Sequence, residues 1–542
     1  MMNNQKQSPP PKEGIENNDK IITEDKNYEF DDLLRLTGKF GRYQVALYAF
    51  ICLVSIPTGA QLGIPVFYGI SPPFNCKTIA GNGTCSAGKC CSSCVKYDFK
   101  GSFTSAVSEW DMICDRRHLR AMSRAVYMLG ILVGSAVFGA VSDHFGRKIA
   151  FFTSIGVMAV AGVVSGVADC LSLFLLFRFI AGAGTIGCIL VKFVYCVEMV
   201  ANTHRSWVGI INMMFLGIGS SLLSLMAFLI PNWRYLMLAA TIPAFLPGGK
   251  WIPRSPRWLI ASNHLDEAYE VLMKYAEGNK VQPPVDPTHL KHLIRVVWEN
   301  DARKETDKKT YGFFDVVKTP RLRKRSLIMF FNWNVNAIIY YGINYNVHNL
   351  AGNLYLNAFI LTTVGFPSAA LNCYCLKRFG RRLTYSTFMM CCGVTCLVAL
   401  SVKDYPVVLV VLVMSAKFCI SISFSAIYLY TAELYPTVIR NNGVGSCGTV
   451  ARIGGIVAPY IVLLSDLPNL MKTFPLLIFG VMAVAAGVMA FWLPETLTSQ
   501  IPQTVEQAET WEEDYNIYCC KKPVIQSTRG FATAEDETET SI

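Results

Sequence analysis

The sequence predicts an all-α membrane protein with twelve transmembrane helices arranged as two six-helix halves. Three observations carry this prediction: an apolar composition, twelve apolar stretches of membrane-spanning length, and a repeat that relates the two halves. Of the 542 residues, 52% are hydrophobic and only 16% are charged, and the mean hydropathy is +0.35. Soluble domains are considerably more polar, so the chain belongs among membrane proteins.

A helix needs roughly 20 residues to cross a hydrocarbon core about 30 Å thick. Twelve stretches of the chain meet this requirement. They lie near residues 43–67, 124–142, 149–168, 171–199, 208–230, 234–252, 327–347, 353–376, 383–402, 407–432, 443–464 and 474–493.

Polar segments around the spans complete the domain organisation. The N-terminal tail contains three consecutive prolines and predicts a disordered segment, not a signal peptide. The segment between the halves has apolar residues at helical spacing, which predict short amphipathic helices on the membrane surface. The predicted order is a tail at 1–42, a bundle at 43–253 with a cysteine-rich loop at 68–123, a linker at 254–326, a bundle at 327–497 and a polar tail at 498–542.

Lys and Arg residues collect in alternate loops, which predicts the orientation of the chain. The connections after the second and eighth spans read "DHFGRK" and "KRFGRR", and residues 254–325 hold fifteen Lys or Arg residues. The opposite loops are short and poor in cations. We therefore expect a multi-pass protein of the plasma membrane with both termini in the cytoplasm. The net charge of +11 is a topology signal and does not indicate nucleic-acid binding.

The long loop at 68–123 holds six cysteines and the glycosylation acceptor Asn82. Six cysteines in an oxidising space predict up to three disulfides, and the sequence leaves the pairing open among about fifteen possibilities. A C-x-x-C pair within the loop also fits zinc, but it lacks a second pair or histidine partners, so we favour disulfides. The six are Cys76, Cys85, Cys90, Cys91, Cys94 and Cys114.

Three landmarks recur in the same order in both halves, at offsets of 234 to 241 residues. This repetition predicts two structurally related bundles. The landmarks are the glycines Gly146 and Gly380, the Glu and Arg seven apart at Glu198 and Arg205 and again at Glu433 and Arg440, and the stretches "WIPRS" at 251–255 and "WLPET" at 492–496.

Several longer motifs resemble those of one transporter family. They are "SEWDMICDRR" at 108–117, "GAVSDHFGRK" at 139–148, "SPRWLI" at 255–260, "TPRLRKRSL" at 319–327 and "YLYTAELYPTVIRNNGVG" at 428–445. In order and position they are similar to solute carrier family 22, the organic cation, anion and carnitine transporters, and the likeness covers about 35–500. The resemblance implies a major facilitator fold whose halves rock around a central substrate site.

The resemblance also implies charged latches at the cytoplasmic ends of the helices. The alternative is that these cations serve topology alone. The sequence departs from the family pattern at three places. Lys377 stands where the first half has an Asp, so we expect the second latch to be weaker. Arg254 stands where the family motif usually has a Glu, and "PGGK" at 247–250 interrupts the sixth span. The candidate latch residues are Asp143, Gly146, Arg147, Lys148, Glu198 and Arg205, and in the second half Gly380, Arg381, Arg382, Glu433 and Arg440.

Two cations lie near the middle of predicted spans. Lys417 is ten residues into the tenth span, about 15 Å deep, and Arg452 is nine residues into the eleventh. A cation at that depth costs roughly 2.5 to 3.5 kcal/mol, so both should face protein or water. The alternative interpretation is that each cation forms a structural ion pair between helices. However, no Asp or Glu lies at mid-depth in any span. We interpret Arg452 and Lys417 as contacts for a substrate carboxylate.

The resemblance sharpens this interpretation. The cation carriers of the family have an acidic residue at the Arg452 position, whereas the anion and carnitine carriers have arginine there and lysine at the Lys417 position. This sequence matches the second group at both positions, which implies that the substrate is an organic anion or a zwitterion such as carnitine.

The seventh span, "FFNWNVNAIIYYGINYN", carries aromatic residues at helical spacing, namely Trp333 with Tyr340 and Tyr341 with Tyr345. Such rings can hold a quaternary ammonium at about 0.5 to 2 kcal/mol each. Packing or interface anchoring is the alternative. Asn332, Asn334 and Asn336 suggest a wetted cavity wall. Arg178, in the fourth span, is expected to snorkel or to pair between helices.

No motif for an enzyme, a nucleotide or a metal is recognised. The glycine pattern "GAGTIG" at 182–187 lies inside a span with no strand before it, so it predicts helix packing. We expect no cofactor and leave the coupling ion, Na⁺ or H⁺, open. The terminal "TSI" is compatible with a PDZ-domain partner.

Three other functions stay open at this point. An organic cation carrier shares most of the motifs. A sugar facilitator shares the patterns around Arg147, Glu198 and Ser255, although the long cysteine-rich loop argues against it. A sensor or scaffold that keeps the fold without transporting is the third.

Overall fold

Most of the long helices of the chain lie where the sequence predicts membrane spans. The computed structural model describes residues 28–79, 90–91, 94–101, 103–245, 252–281, 287–306, 312–402, 404–467, 471–497 and 502–511. Within these residues the secondary structure consists of α-helices, five short 3₁₀-helices and one pair of short strands. In chain order the α-helices are α1 Phe30–Leu36, α2 Arg42–Leu53, α3 Ser55–Tyr68, α4 Ala106–Glu109, α5 His118–Phe145, α6 Arg147–Val167, α7 Leu171–Glu198, α8 Asn202–Leu229, α9 Trp233–Thr241, α10 Pro256–Ala261, α11 Leu265–Gly278, α12 Pro287–Thr306, α13 Pro320–Tyr345, α14 Leu354–Thr363, α15 Gly365–Phe379, α16 Arg381–Ser401, α17 Pro406–Leu434, α18 Arg440–Leu463, α19 Phe474–Ala490 and α20 Val505–Thr510.

Nine helical segments in the described part of the chain are long and apolar enough to cross a membrane. They coincide with nine of the twelve predicted spans. The other three predicted spans are helical too, but α9 is short, α13 is polar, and α19 has only 17 residues. The predicted helix positions are therefore found, whereas length and polarity support nine spans and not the full twelve. The "PGGK" stretch after α9 lies outside the described residues.

The asparagines of α13 do not form a wetted wall. Asn332 and Asn336 are fully buried. Asn336 Nδ2 donates to the Tyr385 hydroxyl at 2.7 Å, and that hydroxyl donates to Asn332 Oδ1 at 2.8 Å. Asn334 Nδ2 donates to the carbonyl of Val450. These amides link α13 to α16 and α18, because a polar side chain inside a helical bundle needs a partner there.

The cysteine-rich loop contains an antiparallel pair, β1 Phe74–Ile79 and β2 Cys94–Phe99. Disulfides join Cys76 to Cys94 and Cys90 to Cys114, and Cys91 is also disulfide-bonded. Because Cys94 is oxidised, the C-x-x-C pair has no free thiolate for zinc at that position. Cys85 and the glycosylation acceptor Asn82 lie outside the described residues.

The N-terminal segment is partly ordered, which differs from the predicted disordered tail at 1–42. Helix α1 buries Phe30, Leu33 and Leu34 against the linker helices α10, α11 and α12. Apolar residues at positions i, i+3 and i+4 give this short helix one apolar face to bury. The C-terminal tail at 498–542 is likewise helical at α20, where the Glu509 carboxylate accepts hydrogen bonds from the first backbone N–H groups of α13.

The chain forms two compact units. The second half of the sequence is divided between them, since its segments 341–366 and 455–472 pack with unit 1. Unit 1 comprises residues 1–310, 341–366 and 455–472, and unit 2 comprises residues 311–340, 367–454 and 473–542.

Candidate functional site

Unit 2 gathers aromatic side chains and two cations from α13, α17 and α18. We call this group the aromatic–cation cluster. Trp333 and Tyr340 lie seven residues apart, two helical turns, on one face of α13, and α17 contributes its lysine together with two further rings. The members are Trp333, Tyr340, Lys417, Phe424, Tyr428 and Arg452.

Lys417 is held against an aromatic face. Its Nζ lies 3.3 Å from the centroid of the Tyr340 ring, and the residue is only 2% exposed. Within the described part of the chain, this ammonium has no hydrogen-bond acceptor. A cation–π contact offsets only part of the cost of burying an ammonium group, so three N–H donors stay available to an anion.

The rings of the cluster contact one another. The centroid of Phe424 lies 5.1 Å from that of Tyr340 and 5.8 Å from that of Tyr428, and Tyr428 lies 4.4 Å from Trp333. The Trp333 indole N–H donates to Thr431 Oγ1 at 2.8 Å, which fixes the ring. Tyr428 is 46% exposed, whereas the other three rings of the cluster are buried or half-buried.

Arg452 lies in electrostatic range of Tyr428. Its Nη1 donates to the carbonyl of Gly448 at 2.6 Å, one turn earlier in α18, and its Nε has no acceptor among the described residues. No carboxylate in that part of the chain pairs with Arg452 or with Lys417. The interpretation as a structural ion pair therefore finds no acid to support it.

The predicted aromatic stripe of α13 is divided between two places. Tyr341 and Tyr345 stack on each other in unit 1, with the Arg124 guanidinium 4.9 Å from the Tyr345 ring. Sequence reasoning missed Phe424 and Tyr428. Their positions seven and eleven residues after Lys417 place all three on one face of α17, and that spacing was the available signal.

The first predicted latch is formed in unit 1. Arg147 Nε donates to Glu198 Oε1 at 3.0 Å, and Arg147 Nη1 donates to Asp143 Oδ1 at 2.9 Å. The Ser255 hydroxyl donates to Glu198 at 2.6 Å. Gly146 makes the turn before Arg147 with a φ of +90°, a conformation that favours glycine.

Unit 2 repeats this arrangement. Arg381 Nη2 and Nε donate to the two oxygens of Glu433 at 2.8 and 2.9 Å, and Thr496 takes the place of Ser255. Gly380 has a φ of +88°. As the sequence predicts, Lys377 leaves this copy without the aspartate contact. Glu495 instead accepts hydrogen bonds from the backbone N–H groups of Arg381 and Arg382, at the start of α16.

Three predicted latch residues are placed differently. Arg205 pairs with Asp31 of α1 at 3.0 Å and not with Glu198. Lys148 has Arg254 and Lys274 as its charged neighbours, which repel it. Arg440 has a buried Nε without an acceptor in the described residues. In the first half, the Glu and the Arg that lie seven residues apart therefore contact different partners.

Comparisons with known proteins agree with this architecture. Residues 93–507 match the family model "Sugar (and other) transporter". An organic cation transporter protein of Drosophila melanogaster is 34% identical, with 92% of this chain and 96% of the relative aligned. Solute carrier family 22 member 6-B of Xenopus laevis is 31% identical, with 78% of this chain and 76% of the relative aligned.

Solved structures show the same fold. An inward-open structure of the xylose transporter XylE from E. coli superposes with a TM-score of 0.62, covering 86% of this chain and 100% of that one at 16% identity. The apolar helices, the repeated ion pairs and these relatives together show that the chain is a multi-pass membrane transporter and not an enzyme. It belongs to the sugar and other transporter family of the major facilitator superfamily and, within it, to solute carrier family 22.

Proposed function

We propose that this protein transports a carboxylate-bearing zwitterion or organic anion, carnitine-like in chemistry, by alternating access. One observation carries the proposal: Lys417 and Arg452 lie inside membrane-spanning helices, and no carboxylate of the described residues pairs with them. A cation without a counter-ion inside the membrane is costly, and a substrate carboxylate removes that cost on binding.

The cluster offers chemistry for both ends of a zwitterion. The guanidinium fork of Arg452 and the ammonium of Lys417 suit a carboxylate. Because Lys417 already covers the Tyr340 ring, a substrate ammonium would use Phe424 and Tyr428 instead. Their contribution is about 0.5 to 2 kcal/mol each.

Transport requires the substrate to shift a population between two states, which it does only through contacts that differ between them. The Arg147–Glu198 and Arg381–Glu433 pairs are the breakable contacts that we assign to this switch. We place the protein in the plasma membrane with cytoplasmic termini and a possible coupling ion, Na⁺ or H⁺. A PDZ partner would bind the final residues, which lie outside the described ones.

An organic cation is the second candidate. Relatives from Drosophila melanogaster and Caenorhabditis elegans are named an organic cation transporter protein and organic cation transporter 1. The rings of the aromatic–cation cluster favour a positively charged ligand. Its two cations repel one, however, and a zwitterion satisfies both features.

Radiolabelled uptake into oocytes tests the proposal. The panel comprises carnitine, benzoate, tetraethylammonium and glucose, each with and without sodium and a pH gradient. We expect uptake of carnitine, of benzoate or of both, and not of the other two. Uptake of tetraethylammonium alone would favour the cation carrier, uptake of glucose alone the sugar facilitator, and no uptake by a surface-expressed protein the sensor or scaffold.

A further inference from the structure

Unit 1 contains a second group of buried cations, which the proposed substrate site does not use. Two arginines and three tyrosines from α3, α5, α7 and α13 lie together, and we call them the Arg–Tyr cluster. Each is at most 2% exposed. The members are Tyr68, Arg124, Tyr127, Arg178 and Tyr345.

Arg178 is fully buried and does not snorkel, and no acid of the described residues pairs with it. Its Cζ lies 4.2 Å from the Tyr127 ring centroid and 5.4 Å from that of Tyr68, and its Nη1 donates to Gln61 Oε1 at 3.2 Å. The rings engage the guanidinium face, and Gln61 engages one nitrogen. Nε and Nη2 have no acceptor among the described residues. These two atoms form one edge of the fork, the edge that binds anions with two parallel hydrogen bonds.

Arg124 connects the remaining members. Its Nε and Nη2 donate to the carbonyls of Pro65 and Gly69, each at 3.1 Å. The Tyr345 ring centroid lies 4.9 Å from its Cζ. Tyr68 directly precedes Gly69 and is in electrostatic range of Tyr345. The hydroxyls of Tyr68 and Tyr345 are buried and, within the described residues, have no hydrogen-bond partner.

The cluster therefore has an excess of donors and of positive charge. Two guanidinium groups lie in a buried, aromatic environment, and no carboxylate of the described chain pairs with either. Four buried donor atoms, two on Arg178 and the two tyrosine hydroxyls, lack acceptors there. Native proteins rarely leave such groups unpaired, because the low dielectric of the interior makes them expensive.

We propose that the Arg–Tyr cluster binds a small inorganic anion, with Arg178 Nε and Nη2 and the Tyr68 hydroxyl as its donors. All five side chains are at most 2% exposed, so we assign to the cluster the smallest class of anion, a monatomic ion such as chloride. This site is separate from Lys417 and Arg452, so the protein binds an anion in unit 1 even when no organic substrate is present.

Thermal unfolding of the purified full-length protein tests the proposal, without organic substrate and with chloride exchanged for gluconate at constant ionic strength. An ion that binds only the folded state raises the melting temperature in a saturable way. We expect the wild type to show this rise with chloride. Arg178→Gln should lose it and should melt above the wild type in gluconate, because the unpaired cation is gone.

Two tyrosines provide a matched pair of milder variants. Tyr68→Phe removes an unpartnered hydroxyl while keeping the ring, and we expect a several-fold weaker apparent chloride affinity. The Tyr127 hydroxyl already donates to the Gln61 carbonyl and to Thr185 Oγ1. Tyr127→Phe should therefore lower the melting temperature in both salts and leave the chloride effect intact. If Arg178→Gln does not fold, this pair decides the question.

The proposal is overturned if chloride does not stabilise the wild type, or if Tyr68→Phe and Tyr127→Phe respond to chloride alike. Loss of the chloride effect in Arg452→Ala with its retention in Arg178→Gln would place the anion in the aromatic–cation cluster and would also overturn it. Because the assay contains no organic substrate, a failure here leaves the proposed transport function standing, and the reverse also holds.

Discussion

At the residue scale, the surroundings of a charge decide what it can do. Arg452 and Lys417 lie in membrane-spanning helices, and their neighbours are carbonyls and rings. Arg147 and Arg381, at helix ends, each meet a glutamate. We propose that the first two receive a negative partner from the substrate, whereas the second two already have one in the protein. This contrast separates the proposed substrate contacts from the proposed latch contacts.

The ring of Tyr428 provides a residue-scale prediction. Tyr428→Leu should raise the KM for a zwitterionic substrate by about 2- to 30-fold, the equivalent of one cation–π contact. Tyr428→Phe, which keeps the ring, should stay near the wild type. Concentration-dependent uptake measures both. Equal losses in the two variants would show that the hydroxyl, and not the ring, makes the contact.

The candidate site was predictable from the sequence only in part. Depth counting was enough to single out Lys417 and Arg452, because mid-membrane cations are rare. It did not show that Tyr340 and Tyr341, adjacent in α13, belong to different units. Neighbouring residues of a helix point about 100° apart, so which ring meets Lys417 depends on tertiary packing. Phe424 was missed for a different reason, since its seven-residue spacing from Lys417 in α17 was visible in the sequence.

At the element scale, the repeat in the sequence is a repeat of contacts. Tyr195 and Tyr430 each donate to a proline carbonyl at 2.7 Å, Pro253 and Pro494 respectively. Arginine, glutamate and a hydroxyl residue recur in both latches. Short motifs with fixed spacing predicted these elements well. The helices α1 and α20 were not predicted, because the polar composition of the two tails does not reveal a short helix that packs by one apolar face.

The two acids around Arg147 should differ in importance. The Asp143 side chain is 78% exposed and that of Glu198 is 11% exposed. Asp143→Asn should lower the free energy of unfolding by less than about 1 kcal/mol. Glu198→Gln removes the partner of a largely buried guanidinium and should cost about 3 kcal/mol. Denaturant unfolding of the purified protein measures both.

Glu433→Gln is the matched control in the second repeat. Its glutamate is 12% exposed and holds Arg381 in the same way, so its loss should resemble that of Glu198→Gln. If Asp143→Asn proves as damaging as Glu198→Gln, burial does not set the strength of the latch.

At the scale of the whole molecule, His348 links stability to pH. Burial, with the nearby charges of Arg120 and Arg124, lowers the pKa of His348 well below its usual 6.5. Arg120 itself pairs with Asp466, and Arg117 donates to the carbonyl of the same residue. The folded protein keeps His348 neutral, so acid favours states in which this side chain is released.

Stability should therefore fall as the pH drops below 6.5, by up to about 1.4 kcal/mol per pH unit from this group. Melting temperatures across that range measure the effect. His348→Asn, which cannot titrate, should show a shallower fall. A pH dependence identical to that of the wild type would mean that His348 does not contribute.

Above all, we propose that Lys417 and Arg452, which pair with no carboxylate of the described residues, bind the carboxylate of the cargo. Uptake of carnitine and of benzoate by Arg452→Ala, with surface expression measured in parallel, tests it most directly. We predict normal surface expression with abolished uptake of both compounds, and partial recovery in Arg452→Lys, which restores the charge without the fork. Wild-type uptake by Arg452→Ala at equal surface expression would contradict the claim.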